Sequence, residues 1–183
     1  MAVDEIKKPY VIDDFMHKKE FNELQSWVMG GMIQWQYCDC VVDPNDVGDS
    51  NPDAYQFVHS LYLSQMGFYN EEIMRLRDLC TIINPQVLLK CKLNLQPKTI
   101  GERRKNDFHT DFTPQLPGWT TAIFYLNTNN GYTEFECDGN KIDSVANRIV
   151  FFDGTMRHRG TTCTDAKNRY VLNLNFNGGT YAQ

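Results

Sequence analysis

The chain has 183 residues, of which 42% are hydrophobic and 13% aromatic, and its formal net charge at pH 7 is −5. These values are typical of one globular domain with its own core, and the acidic balance argues against a broad nucleic-acid-binding surface, which requires clustered positive charge. No apolar run is long enough to cross a bilayer, and residues 1–15 lack the apolar stretch of a secretory signal. We therefore expect a single domain over 1–183 in a cytoplasmic compartment that keeps its six cysteines reduced.

The first half of the chain contains two helical patterns. One runs over 13–31, from two capping aspartates to two glycines. Its apolar face consists of Phe21, Leu24, Trp27 and Val28. The other runs over 70–85, with Asn70 as its N-cap, Pro85 as its stop and an apolar residue at every third or fourth position. We predict that residues 1–85 provide helical support for the rest of the chain.

From residue 86 onward the pattern changes to short extended runs that are rich in β-branched, aromatic and leucine residues. The runs are 86–95, 119–127, 132–137, 147–152 and 169–176. Turn sequences such as NTNNG, DGN and DGT separate them. Helices followed by many closely spaced strands predict an α+β fold, in which the strands form a sandwich or barrel over about 86–178.

The sequence FHTDF at 108–112 contains two potential metal ligands. Side chains alternate in an extended segment, so His109 and Asp111 point to one face. The other histidines are His17 on a charged helix face, His59 among rings and aliphatic residues, and His158 after an apolar strand and a turn. We predict His158 as the third ligand. Two histidines and one carboxylate form a facial triad that leaves three open positions on iron(II), although zinc accepts the same ligands.

Arg169 begins the last extended run and sharpens this interpretation. Its face of the strand carries Val171, Asn173 and Asn175, whereas Tyr170, Leu172, Leu174 and Phe176 lie on the other. A guanidinium on a partly buried strand requires a carboxylate partner, and its fork suits a bidentate one. Alone, Arg169 would be an ordinary arginine near a strand end. Beside the triad, we interpret it as the anchor of a carboxylate ligand.

Four motifs in order, HTD at 109–111, YTEF at 132–135, NRIVFFDGTMRH at 147–158 and NRYVLNLNF at 168–176, resemble the non-haem iron(II)/2-oxoglutarate-dependent oxygenases. The resemblance covers roughly the C-terminal half and points to the prolyl-4-hydroxylase-like branch, including its small virus and phage members. The chain departs from that branch in NNGYTEF, where Asn130 replaces the first glycine of a Gly-Gly pair. A prolyl substrate is therefore not inherited with the motifs.

The resemblance implies a double-stranded β-helix, or jelly-roll, with supporting helices. It assigns iron(II) to His109, Asp111 and His158. It assigns the distal carboxylate of 2-oxoglutarate to Arg169, with Tyr125 as a further contact to this carboxylate. Asn94 and Asn175 are additional candidates for contacts to the co-substrate, because they are polar residues on apolar strands. A core tyrosine is an equally good interpretation of Tyr125, which shares one face of its strand with Thr121, Ile123 and Asn127.

The implied activity is hydroxylation of an unactivated C–H bond with dioxygen, with ascorbate as an accessory reductant. A peptidyl proline is the first candidate substrate, and a free amino acid or small metabolite is the alternative. Two other classes stay open: a metal-dependent jelly-roll hydrolase or isomerase, which leaves Arg169 unexplained, and a non-catalytic binding module, which makes the order of the motifs a coincidence.

The expected partners are a peptide, protein or small-molecule substrate, without nucleic acid or membrane. If the chain is virus-encoded, the compartment is the host cytoplasm. The basic stretch at 98–105 is interpreted as a solvated loop, with an entrance rim for an acidic substrate as the alternative. Cys38 and Cys40 have a spacing unsuited to a zinc knuckle and are interpreted as structural. The sequence does not determine the oligomeric state.

Overall fold

The computed structural model describes residues 8–42, 53–112 and 118–179. Its strands are β1 Tyr10–Ile12, β2 Gln36–Cys38, β3 Gln56–Leu63, β4 Phe68–Tyr69, β5 Val87–Pro97, β6 Trp119–Tyr125, β7 Tyr132–Phe135, β8 Lys141–Asp143, β9 Arg148–Asp153, β10 His158–Gly160 and β11 Asn168–Asn177. Its helices are α1 Lys18–Met29, α2 Arg77–Ile83 and two 3-10 helices, η1 Ser64–Met66 and η2 Glu71–Leu76. Within these ranges, no helix is both long and apolar enough to cross a membrane.

The strands form two antiparallel sheets. The major sheet has eight strands in the order β1-β9-β6-β11-β5-β3-β2, with β4 beside β3, and the minor sheet has three in the order β10-β7-β8. The two sheets share a buried cluster in which Phe135 of β7 meets Phe152 of β9 edge to face, with ring centroids 5.0 Å apart. The predicted jelly-roll with supporting helices is confirmed.

The alternation of side chains along the major sheet produces two cores. On one face, Leu93 and Leu172 pack beneath the helices. On the other face, Ile123, Val150 and Val171 pack between the sheets. The split of β11 into an apolar face toward the helices and a mixed face toward the minor sheet is the one that the sequence predicts. This second face positions the polar residues described below.

The two predicted helical regions exist, but the first begins later than expected. α1 buries Phe21, Leu24 and Val28 as predicted, yet it starts at Lys18 with His17 at its N-cap. Asp13 is not a cap, because its carboxylate accepts two hydrogen bonds from Arg148, at 2.6 and 2.9 Å. The second region starts at the predicted Asn70, whose Oδ1 accepts the N–H of Glu72 at 2.9 Å, but its first turns are 3-10.

The N-terminal part is not purely helical, contrary to the prediction for residues 1–85. β1 pairs with β9, and β3 pairs with β5 and carries β2 and β4, so these strands widen the major sheet at both edges. β1, β2 and β4 are only two or three residues long. Such short segments depend on pairing with strands distant in sequence, which local propensity does not reveal.

Candidate metal and carboxylate site

His109 and His158 face each other across a short antiparallel backbone pair. The N–H of His109 donates to the carbonyl of His158 at 3.0 Å, and the N–H of His158 donates back at 2.9 Å. Their ring centroids are 4.5 Å apart. The segment before Asp111 and the start of β10 therefore bring together two of the three predicted ligands.

The turn after β9 fixes Asp111. The backbone N–H groups of Asp111 and Phe112 both donate to the carbonyl of Gly154, each at 3.0 Å. The ring of Phe112 covers Gly154 so closely that a Cβ at this position would collide with it. Asp111 Oδ2 consequently lies 3.9 Å from His158 Nε2. The structure thus places the three predicted ligands together, while their role in binding iron stays a prediction.

The two imidazoles have the protonation that a metal ligand needs. Nδ1 of His109 lies 3.3 Å from the carbonyl of Asp107, and Nδ1 of His158 lies 3.0 Å from that of Met156. A proton on each Nδ1 satisfies these carbonyls and leaves Nε2 with its lone pair. Burial lowers the pKa of His109 to about 4 and also lowers the pKa of His158. Both rings are therefore neutral at pH 7.

Asp111 is held ionised by its neighbours. Burial by itself raises the pKa of this carboxyl, but the ammonium of Lys90, 3.3 Å from Oδ1, and the hydroxyl of Thr121, which donates to Oδ2 at 2.7 Å, hold it well below its usual range. Asn175 Nδ2 in turn donates to Thr121 Oγ1 at 2.8 Å. Asn175 therefore supports Asp111 through Thr121 and is not among the residues that line the pocket with Arg169, while its contact with the co-substrate stays a prediction.

Arg169 is a buried cation, 4% exposed, at the other end of the same pocket. Its Nε donates to Ser144 Oγ at 2.8 Å and its Nη2 to Thr133 Oγ1 at 3.3 Å. No carboxylate in the described ranges forms an ion pair with this guanidinium. Burying a charge without a counter-charge is costly, so the site has a strong preference for an anionic ligand.

Gly131 gives Arg169 the room that it occupies. A Cβ at Gly131 would lie 2.7 Å from Arg169 Cδ, which is closer than real Cβ contacts. Gly160 is less tight, since its Cβ would lie 3.3 Å from Nη1 of the same side chain. The glycine that the sequence retains in NNGYTEF is therefore explained by packing against the guanidinium side chain.

Tyr125 and Asn94 have different positions relative to this pocket. Tyr125 is fully buried, donates its hydroxyl to Thr133 Oγ1 at 2.9 Å, and has its ring 5.6 Å from Arg169 Cζ. It supports Arg169 from behind and is not among the residues that line the pocket. Asn94 lines the pocket directly, and its buried Oδ1 has no hydrogen-bond partner among the described residues.

Sequence reasoning missed several polar residues of the site. Those that line the pocket are Lys92, Gln96 and Asn106. Lys92 and Gln96 are each two residues from Asn94 along β5 and lie on the same face of the strand. The alternation of side chains could therefore have predicted them together with Asn94. Asn106 and Ser144, which binds Arg169, carry no such pattern.

The basic stretch and His59 lie outside the pocket. Arg103 donates to the carbonyl of Asn130 at 2.6 Å, and Lys105 lies 3.9 Å from a carboxylate oxygen of Glu134. The stretch is therefore engaged with the protein's own surface. The ring nitrogens of His59 face the carbonyl of Gln34 at 3.1 Å and the carboxylate of Glu72 at 2.9 Å.

The donor atoms of His109, Asp111 and His158 are of the types that bind a metal ion, but they lie farther apart than in a preformed site. Among the described residues, Cys38, Asp39 and Cys40 form the one group of such side chains whose donor atoms all lie within 4.8 Å of one another. The donors of the His109, Asp111 and His158 triad are spaced more widely, so binding an ion at ordinary bond lengths requires a side-chain rotation. Asp111 alone of the three also lines a second pocket of about 330 Å³, together with the stacked rings of Phe112 and Trp119.

No protein-family model matches the chain, and no curated protein matches it. Solved structures do. A prolyl hydroxylase from Trichoplax adhaerens, in complex with a hypoxia inducible factor peptide, is 14% identical with a TM-score of 0.61 over 96% of this chain and 87% of that one. A collagen prolyl hydroxylase from Paramecium Bursaria Chlorella virus-1, in complex with 2OG, is 14% identical with a TM-score of 0.53 over 94% and 96%.

A third solved structure with this fold is of a protein that is named for another type of reaction. The non-heme alpha ketoglutarate dependent epimerase SnoN from nogalamycin biosynthesis is 11% identical, with a TM-score of 0.61 over 92% of this chain and 78% of that one. At these identities the similarity establishes the fold. What this chain does must be argued from its own residues.

Proposed function

We propose that the chain is an iron(II)- and 2-oxoglutarate-dependent dioxygenase that hydroxylates an unactivated C–H bond. The observation that carries this proposal is Arg169, a buried cation without a carboxylate partner among the described residues, in one pocket with two neutral imidazoles and an ionised carboxylate. 2-Oxoglutarate matches both ends of that pocket, because it has one carboxylate for a guanidinium and a second carboxylate, beside a keto oxygen, for a metal ion.

A bound iron(II) ion would supply the activation of dioxygen, in a reaction that oxidises 2-oxoglutarate to succinate and carbon dioxide and places one oxygen atom in the substrate's C–H bond. His109, Asp111 and His158 would hold this ion. Thr133 and Ser144 orient the guanidinium that clamps the co-substrate. The apolar side chains of the pocket, such as Ile123 and Val171, restrict water around the reacting groups.

The identity of the substrate is a second part of the proposal. The sequence resemblance favours a peptidyl proline, and two of the solved proteins with this fold are named for prolyl hydroxylation. A free amino acid or small metabolite is the alternative. A hydrolase, an isomerase or a binding module would use the same triad, but these activities do not account for a buried Arg169 that has no carboxylate partner among the described residues.

Binding of the co-substrate to the metal-loaded protein tests this function. Under anaerobic conditions, iron(II) followed by 2-oxoglutarate is expected to produce a weak visible absorption band, and admission of air is expected to yield succinate. His158→Ala is the matched control, since it removes one ligand and should abolish the band while the far-UV circular dichroism spectrum is retained. A wild-type protein with neither band nor succinate would contradict the proposed function.

A further inference from the structure

The inner face of β5 contributes a second cation to the pocket. Lys90 and Lys92 both point to this face, which also carries Asn94 and Gln96. Lys90 is paired with Asp111 at 3.3 Å. Lys92 forms no hydrogen bond or ion pair with any other residue in the described part of the chain, although it is partly buried. An ammonium held away from bulk water without a counter-charge needs an explanation.

The polar groups around Lys92 are also without partners. Lys92 lies opposite Asn173 of β11 in the sheet register, and Asn94 is two residues farther along β5. Oδ1 of Asn94 and of Asn173, together with Nε2 of Gln96, are buried and have no hydrogen-bond partner within the ranges described. Asn173 is 8% exposed and Gln96 4%. Native proteins rarely leave several such groups unsatisfied in one place, so a ligand is expected here.

The proposed co-substrate does not supply this ligand. Its distal carboxylate is assigned to Arg169, and its keto-acid end is assigned to the ion. The ion carries two positive charges and the guanidinium carries one, and the dianionic co-substrate together with Asp111 balances them. No carboxylate among the described residues then pairs with Lys92, and Lys90 would only add to the positive charge. A second anion is therefore expected in the pocket while the reaction takes place.

We propose that Lys92, with Asn94 and Asn173 beside it, binds a carboxylate of the primary substrate. This inference rests on the proposed function and selects among its substrates. The ammonium of Lys92 donates to the substrate carboxylate, and the amide oxygens of Asn94 and Asn173 accept from a neighbouring amine or hydroxyl group. A carboxylate-bearing compound such as a free amino acid is favoured over a peptidyl proline whose neighbours are uncharged.

Matched pairs of ligands test this subsite without turnover. Zinc-loaded protein saturated with 2-oxoglutarate is titrated calorimetrically with each L-amino acid and with its amide, and with blocked peptides that contain one proline or one aspartate. At least one carboxylate-bearing compound should bind about tenfold or more tightly than the partner that lacks the carboxylate. Preference for the aspartate peptide over free amino acids would identify an acidic side chain as the source of the carboxylate.

Two substitutions separate charge from structure. Lys92→Met should remove the preference for carboxylates, and Lys92→Arg should retain it to within about threefold, while the affinity for 2-oxoglutarate stays within about twofold in both. Asn94→Ala should weaken the binding of an amino acid more than the binding of a carboxylic acid that has no amine. Melting temperatures near that of the wild type exclude misfolding as the cause.

Three results would overturn the subsite. A loss of 2-oxoglutarate affinity in Lys92→Met, as large as that in Arg169→Met, would assign Lys92 to the co-substrate. Equal binding of acids and amides, or binding of the blocked proline peptide alone, would show that no carboxylate is recognised. Failure of the wild type to bind 2-oxoglutarate at all would instead refute the proposed function, which is a distinguishable outcome.

Discussion

β11 and β5 pair along almost their whole lengths and line the same pocket, yet the two cations on them are held differently. On β11, the guanidinium of Arg169 is held by the hydroxyls of Ser144 and Thr133. On β5, Lys92 forms no hydrogen bond or ion pair with a described residue, and the neighbouring Oδ1 atoms of Asn94 and Asn173 have no partner there. A cation that is oriented in advance suits one fixed ligand, whereas a cation among open groups is completed by its ligand.

Arg169→Met would remove the oriented cation of β11 and has the largest expected effect. The affinity for 2-oxoglutarate should fall about 100-fold, because charge-assisted hydrogen bonds contribute roughly 1.5–3 kcal/mol each. Metal affinity should stay within about threefold. Titration of both ligands by calorimetry measures the two constants. Arg169→Lys keeps the charge without the fork and should fall between the two proteins. Equal losses of metal and 2-oxoglutarate would argue against the anchoring role.

Removing the support that β6 gives to Asp111 should affect binding of the metal ion and not of 2-oxoglutarate. Thr121→Val deletes the hydroxyl that donates to Asp111 Oδ2 at 2.7 Å. We expect metal affinity to fall roughly 10-fold or more, as it does when other residues that hydrogen-bond a metal ligand are substituted. The affinity of the protein for 2-oxoglutarate, which depends on Arg169, should change little. Competition with a chromophoric chelator gives the metal affinity. Thr120→Val, on the opposite face of β6, serves as a control, and an equal loss there would indicate a general packing defect.

A change of shape without a change of charge sharpens the same comparison. Gly131→Ala would push on Arg169 Cδ, and Gly160→Ala would only approach Nη1. Overpacking typically costs about 1–3 kcal/mol, so Gly131→Ala should weaken 2-oxoglutarate binding by about tenfold, and Gly160→Ala by less. Calorimetry on both variants decides the order. The reverse order would show that the guanidinium adjusts at Gly131 more easily than the distances suggest.

Lys92 of β5 should show the smallest effect near neutral pH, as a pH dependence. Burial lowers the pKa of Lys92 from 10.5 to about 8. Because an anion binds the protonated form, affinity for a carboxylate substrate should fall as pH rises through this value, by about twofold between pH 7 and 8, by about fivefold between pH 8 and 9, and by a factor approaching about tenfold per unit above that. Lys92→Arg should flatten this profile. A wild-type profile that stays level up to pH 10 would contradict a role for the ammonium.

The strongly patterned parts of the site were predictable from the sequence. His109 and Asp111 are two residues apart, so alternation alone placed them on one face, and His158 follows a strand whose central residues, 149–152, are apolar. The faces of β11 were predicted for the same reason. These features depend on local periodicity, which survives in a single sequence.

What escaped prediction depends on contacts between distant segments. Lys92 reads as a surface lysine in a strand, and only the pairing of β5 with β3 and β11 carries it into the interior. Ser144 follows a three-residue strand and has no distinguishing neighbours, yet its hydroxyl orients Arg169. The hydrogen bond from Asn175 to Thr121 likewise depends on the pairing of β11 with β6, which the sequence does not reveal.

The place of β11 in the sheet has a consequence for the order in which the proposed site is assembled during synthesis. β11 is the last of the described strands, but it lies between β6 and β5 in the middle of the major sheet. Until residues 168–177 leave the ribosome, β1-β9-β6 and β5-β3-β2 have no shared hydrogen bonds, and joining them requires contacts between distant parts of the chain. The proposed metal ligands are translated earlier, whereas Arg169 arrives with the strand that closes the sheet. A nascent chain therefore contains all three proposed metal ligands before it gains the proposed carboxylate anchor, which is positioned only when β11 joins the sheet.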